Sequence, residues 1–170
     1  MILSVHVTFG VAVASLVPTH PVAGFVLGFA SHLVLDAIPH KDYSLLSVDL
    51  DSKRDPKLFA FIIKKFRVVR DVTFVSSDLF LGLVLAFLFF FNPLHPLSLL
   101  VGLIGSLLPD FITFLYVIFN HQSLNLFQKL HSGFFHSKNT LNLNQFTGVV
   151  FQFITLTILI AILFGVKNLF

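Results

Sequence analysis

Val22-Ala23-Gly24-Phe25-Val26-Leu27-Gly28-Phe29-Ala30-Ser31-His32-Leu33-Val34-Leu35-Asp36-Ala37-Ile38-Pro39 decides how the chain is read. The run is apolar except for Ser31, His32 and Asp36, and it reads as a helix that Pro39 ends. On such a helix His32 and Asp36 are four residues apart, about 40° apart around the axis, and share a face. Gly24 and Gly28 have the same spacing and let a second helix approach closely. A His and a carboxylate on one face can bind a metal together or form a proton-relay pair. They can also form a plain hydrogen bond at a capped helix end. His40 and Asp42 follow just past the proline.

Composition sets the medium. Of 170 residues 56% are hydrophobic and 11% charged, where a soluble domain carries about a quarter charged. Mean hydropathy is +0.93. These values predict a single all-α integral membrane domain over residues 1–170. With no Cys, disulfides and thiolate metal sites are excluded, so any metal rests on His, Asp and neutral oxygens. All the acidic residues are Asp. No nucleic-acid-binding motif and no internal repeat is evident. The first apolar run has no basic segment before it and no small-residue cleavage site after it, so it is not read as a cleaved signal peptide.

Outward from the quoted stretch, five apolar runs predict about five transmembrane helices, at residues 2–17, 22–38, 72–91, 97–119 and 146–165. The first two are slightly shorter than the roughly 20 residues that cross a bilayer. They read as a tight hairpin around Pro18-Thr19-His20-Pro21. Between runs two and three lie most of the basic residues, among them Lys64, Lys65, Arg67 and Arg70. Asp55 is a suitable N-cap and Pro56 a suitable first residue for a helix. Leu58, Phe59, Ile62, Ile63, Phe66 and Val69 then recur at helical spacing. Residues 55–70 therefore read as a basic amphipathic interfacial helix whose partner is anionic lipid headgroups. The positive-inside rule makes the connections 39–71 and 120–145 cytoplasmic. The expected protein sits in the cytoplasmic (inner) membrane with its N-terminus inside and its C-terminus outside.

That topology gathers the ionisable residues at one depth. His6, His32, Asp36, His40, Asp71, Asp78, Asp110, His131 and His136 fall toward the cytoplasmic side. His20 and His95 fall on the other side, and His121 reads as a surface residue. A lone Asp at the bilayer centre costs about 2.5–3.5 kcal/mol. Asp36, Asp78 and Asp110 have no Lys or Arg within their helices to offset this. A divalent metal with neutral His ligands would.

Ser31-His32 with Asp36, Leu107-Leu108-Pro109-Asp110, and His131-Ser132-Gly133-Phe134-Phe135-His136-Ser137, with His6 and Gly10 ahead of them, resemble the YdjM-type membrane-bound metal-dependent hydrolases. Phe111, Ile112 and Thr113 stand where that family continues with a further Asp and His. A weaker similarity links His32, Asp36, Pro39 and His40 to the metal motif of zinc-dependent phospholipase C and S1-type nucleases. The resemblance implies a hydrolase of a lipid or other membrane-associated phosphoester. Zinc is the favoured cofactor and manganese the second choice. His32, Asp36, Asp110, His131 and His136 are the expected ligands, with His40 and Asp71 as further candidates. Asp78 and His6 are the expected catalytic base or additional ligand. Two other classes fit the residues: a metal or proton transporter, and a scaffold whose His–Asp pairs lock helices together.

Overall fold

The computed structural model describes residues 1–41, 43, 65–119, 121–135 and 144–167. Among these, every regular element is helical. The helices are α1 (Leu3–Ala14), α2 (Pro21–Ala37), α3 (Lys65–Phe90), α4 (Pro96–Phe119), α5 (Asn125–Leu130) and α6 (Gln145–Lys167). A 3-10 turn, Gln122–Leu124, precedes α5, and a π-helical turn, His131–Phe135, follows it.

The bounds follow from local chemistry. Pro21 opens α2 and Pro96 opens α4, where a missing N–H costs nothing. The Asn92 side chain accepts from Leu94 N–H at 2.9 Å and builds the turn between α3 and α4. α2 stops before Pro39, as its sequence requires.

Among the described residues three helices are long and apolar enough to cross a membrane: Val68–Phe90, Pro96–Tyr116 and Phe146–Gly165. Their outer faces are bare and apolar. Phe80, Leu88, Phe89, Phe146, Ile158 and Ile162 are each more than half exposed. Such a continuous apolar surface fits lipid rather than water. The expected count of five spans is not reproduced by helix length. α1 has 12 residues, about 18 Å, and α2 has 17, about 26 Å, against a hydrocarbon core of about 30 Å.

α1 is instead the centre of the bundle. It touches α2, α3, α4 and α6, and every residue from Ser4 to Ala14 is buried. A helix apolar on all sides but this short belongs in a protein core. α2 packs along α4 over the most extensive helix–helix seam among the described residues. A Cβ on Gly28 would lie 2.8 Å from the Gly102 carbonyl oxygen. The close approach expected of Gly24 and Gly28 is thus made to α4.

α3 also begins earlier than expected. It runs unbroken from Lys65 through Asp71, where a boundary between interfacial helix and span was expected. No Gly or Pro interrupts Arg70-Asp71-Val72, and the Arg70 guanidinium donates to Asp71 Oδ1 at 3.0 Å. The rest of the basic segment, at 44–64, lies outside the described residues.

Candidate metal centre

α1, α2, α4 and the π-helical turn bring five of the expected site residues to one end of the bundle. His32 and Asp36 lie in the last turns of α2, His6 near the start of α1, Asp110 in the second half of α4 and His131 at the α5–π junction. Asp36 is the hub. Its Oδ2 lies 3.1 Å from His32 Nε2 and 3.0 Å from His131 Nε2. Its Oδ1 lies 3.2 Å from His6 Nε2. The two Nε2 atoms of His32 and His131 are 3.3 Å apart, and His32 Nε2 is 3.6 Å from Asp110 Oδ1. The His6 and His32 rings stack with centroids 3.8 Å apart. His6, His32, Asp36 and His131 are buried, while the Asp110 side chain is 37% exposed and forms the open edge.

Among the described residues two overlapping groups can hold a metal ion: His32, Asp36 and His131, and His6, His32 and Asp110. The spacing is suitable. Zinc–ligand bonds of about 2.0–2.1 Å in a tetrahedron place ligand atoms about 3.3–3.4 Å apart.

Proton accounting calls for a positive charge between His32 and Asp36, a proton or a cation. His32 Nδ1 faces the Ser106 carbonyl oxygen at 2.7 Å, and a carbonyl only accepts, so Nδ1 carries the proton. A neutral His32 then turns the lone pair of Nε2 toward the Asp36 carboxylate. Two acceptors 3.1 Å apart repel unless a proton or cation lies between them. His131 Nδ1 is held in turn by the Thr113 hydroxyl at 3.1 Å. A ligand His whose other ring nitrogen is fixed by a carbonyl or hydroxyl is the usual arrangement around a metal. His6 completes the picture: its buried Nδ1 has no polar partner, and its Nε2 meets Asp36 Oδ1 at 3.2 Å without hydrogen-bond geometry. Buried polar atoms are rarely left so.

Local sequence explains the geometry. Pro109 removes the N–H that would bond the Gly105 carbonyl within α4. One residue on, the Ser106 carbonyl receives His32, and Asp110 follows the proline. The π-helical turn widens the backbone where His131 leaves α5, a feature frequent at functional sites.

The other expected residues go elsewhere. Asp78 does not join either metal-holding group; it accepts from Ser4 and Tyr43. His40 Nδ1 faces the Ile38 carbonyl at 2.7 Å, and its Nε2 lies 2.7 Å from the Met1 main-chain nitrogen. Asp71 pairs with Arg70. His136 lies outside the described residues. His20 and His95 sit in the turns at the opposite end of the bundle, and His121 caps the 3-10 turn.

Four contributors were not read from the sequence: the Ser106 carbonyl, Thr113, Tyr43 and Gln152. Gln152 had a signal, being the one amide inside the apolar run at 146–165. Tyr43 had none. Burial, and then the bond to Asp78, push the Tyr43 phenol well above its ordinary range, so it stays a donor.

No protein-family model, curated protein or solved structure matches the chain.

Proposed function

We propose that the chain is a membrane-bound metal-dependent hydrolase acting on a phosphoester of a lipid or membrane-associated substrate. The observation that carries the metal reading is the convergence of His32, Asp36 and His131 within 3.0–3.3 Å, with the His32 Nδ1 proton already committed to a carbonyl. His32, Asp36 and His131, with His6 as a further ligand, would hold the ion, and Asp110 would stand beside it. Three imidazoles and a carboxylate favour zinc, with manganese second. Bound there, a divalent ion supplies Lewis acidity toward a phosphoryl oxygen and lowers the pKa of water toward 7. The residues do the rest. Ser106 and Thr113 fix the imidazole orientations, and Asp110, at the open edge, is placed to accept a proton from an incoming water. The reaction class itself comes from the resemblance of the Ser31-His32, Pro109-Asp110 and His131 segments to YdjM-type hydrolases.

In this reading the cluster faces the cytoplasm, the chain crosses the inner membrane with its N-terminus inside, and residues 55–70 rest on anionic headgroups. A through-path for a transported ion is disfavoured, because the opposite ends of α2, α3 and α4 carry only His20 and His95 among titratable groups.

The test is turnover. Purified chain in mixed micelles, supplied with zinc or manganese, is expected to cleave an activated phosphodiester and to stop on adding chelator. His32→Ala and Asp36→Ala are expected to abolish cleavage. Metal-loaded protein with no activity on phosphomonoesters, phosphodiesters or phospholipids would sink the hydrolase reading. A reporter fused after residue 50 is expected in the cytoplasm and one at residue 170 outside. The reverse pattern would invert the orientation.

A further inference from the structure

α1 starts without a cap of its own. Its N-cap residue, Ile2, makes no side-chain cap bond, and the first intrahelical rung is His6 N–H to the Ile2 carbonyl at 3.4 Å. The N–H groups ahead of that rung have no partner within the helix. Three distant parts of the chain supply them. Ile2 N–H donates to Gln152 Oε1 at 2.9 Å, Leu3 N–H to the Tyr43 hydroxyl at 2.7 Å, and Ser4 N–H to Asp78 Oδ2 at 3.0 Å. The acceptors are themselves tied down. Gln152 Nε2 donates to the Lys41 carbonyl at 2.7 Å. Tyr43 donates to the Asp78 carboxylate, and the Ser4 hydroxyl reaches its second oxygen at 2.6 Å. A carboxylate at a helix N-terminus also meets the positive end of the helix dipole.

His6 lies in the turn that this cap holds. Its ring makes no hydrogen bond of good geometry; it stacks on His32 at 3.8 Å and approaches Asp36 at 3.2 Å, and how far it reaches into the cluster is set by where α1 begins. We propose that Asp78, assisted by Tyr43 and Gln152, is a positioning residue: it caps α1 from α3 and thereby sets His6 in the metal cluster. This assigns Asp78 a role through His6 rather than contact with metal or substrate, and it rests on the metal reading above.

The test uses full-length protein in detergent loaded with cobalt(II), whose visible spectrum reports the number and kind of ligands. Asp78→Ala is expected to give the spectrum of His6→Ala, with about 10–100-fold weaker cobalt binding. The double variant is expected to bind cobalt no more weakly than His6→Ala alone, because both changes act on one ligand. Asp78→Asn is expected to restore the wild-type spectrum. Its amide oxygen can accept from Ser4 N–H and Tyr43, and its NH2 can donate to the Ser4 hydroxyl oxygen. Tyr43→Phe is expected to shift the spectrum in the same direction by less, and it serves if Asp78→Ala does not fold. A wild-type spectrum and affinity in Tyr43→Phe and Asp78→Ala, with only the melting temperature lowered, would overturn the proposal alone. Asp78→Asn as impaired as Asp78→Ala would overturn its hydrogen-bonding basis. Wild-type protein that takes up no cobalt would overturn the metal reading and this proposal with it.

Discussion

α1 and α6 are built from nearly the same kinds of residue: long apolar runs broken by a few Ser, Thr, His or Gln. α1 runs 12 residues and is buried from Ser4 to Ala14. α6 runs 23 residues and leaves Phe146, Ile154, Ile158 and Ile162 more than half exposed. Hydropathy does not separate them, because lipid and protein interior are both apolar. Length does. A helix of about 18 Å falls short of a hydrocarbon core of about 30 Å, and here its apolar surface is covered by other helices. Its polar residues then lie in the interior, where His6 and Ser4 find partners on α2 and α3. Among the described side chains of α6 the only deeply buried polar one is Gln152, and it reaches back to the start of α1.

Truncation should separate the two helices most widely. Phe9→Ala in α1 is expected to cost about 3–5 kcal/mol, because its ring sits in the core and the cavity cannot be filled. Ile158→Ala on the exposed face of α6 is expected to change stability by no more than about 0.5 kcal/mol. Unfolding titrations in detergent compare them, and equal losses would mean that α1 is not the centre.

A smaller effect is expected at the glycines. Gly28→Ala places a methyl 2.8 Å from the Gly102 carbonyl and should cost about 1–3 kcal/mol as α2 shifts off α4. Gly165→Ala, where a Cβ would meet nothing within 4 Å, should cost nothing measurable. A harmless Gly28→Ala would contradict the tight α2–α4 seam. The smallest effect is expected at the far end of the bundle. His20→Ala and His95→Ala should leave metal content unchanged, whereas loss of metal in either would spoil the one-ended arrangement.

Much of this site was legible in the residues. The four-residue spacing of His32 and Asp36 placed them on one face, and Pro109 marked the turn that carries Asp110. His131 was visible as a histidine beside a glycine in a polar connection. The all-helical fold and the positions of α2, α4 and α6 were legible from proline boundaries and apolar runs. The central place of α1 was not, since an apolar run does not say whether lipid or protein covers it. Its shortfall in length was the available sign, and Ser15, whose hydroxyl bonds back to the Ala12 carbonyl, marks where it stops. The role of Asp78 was not legible either. Its partners are Ser4 and Tyr43, and main-chain groups such as the Ser4 N–H carry no signature in side-chain spacing. The same holds for the Ser106 carbonyl that orients His32.

The most direct measurement is the metal content of the chain purified in detergent without chelator. At least one zinc or manganese ion per chain is expected, and none in His32→Ala or Asp36→Ala. Removing the ion leaves the buried Asp36 carboxylate without a divalent partner, so chelator should lower the melting temperature of the wild type. The same treatment should not move His32→Ala. Wild-type protein that carries no metal, takes none up and melts at the same temperature with and without chelator would contradict the account, and the cluster would then be a hydrogen-bonded lock between α2, α4 and the π-helical turn.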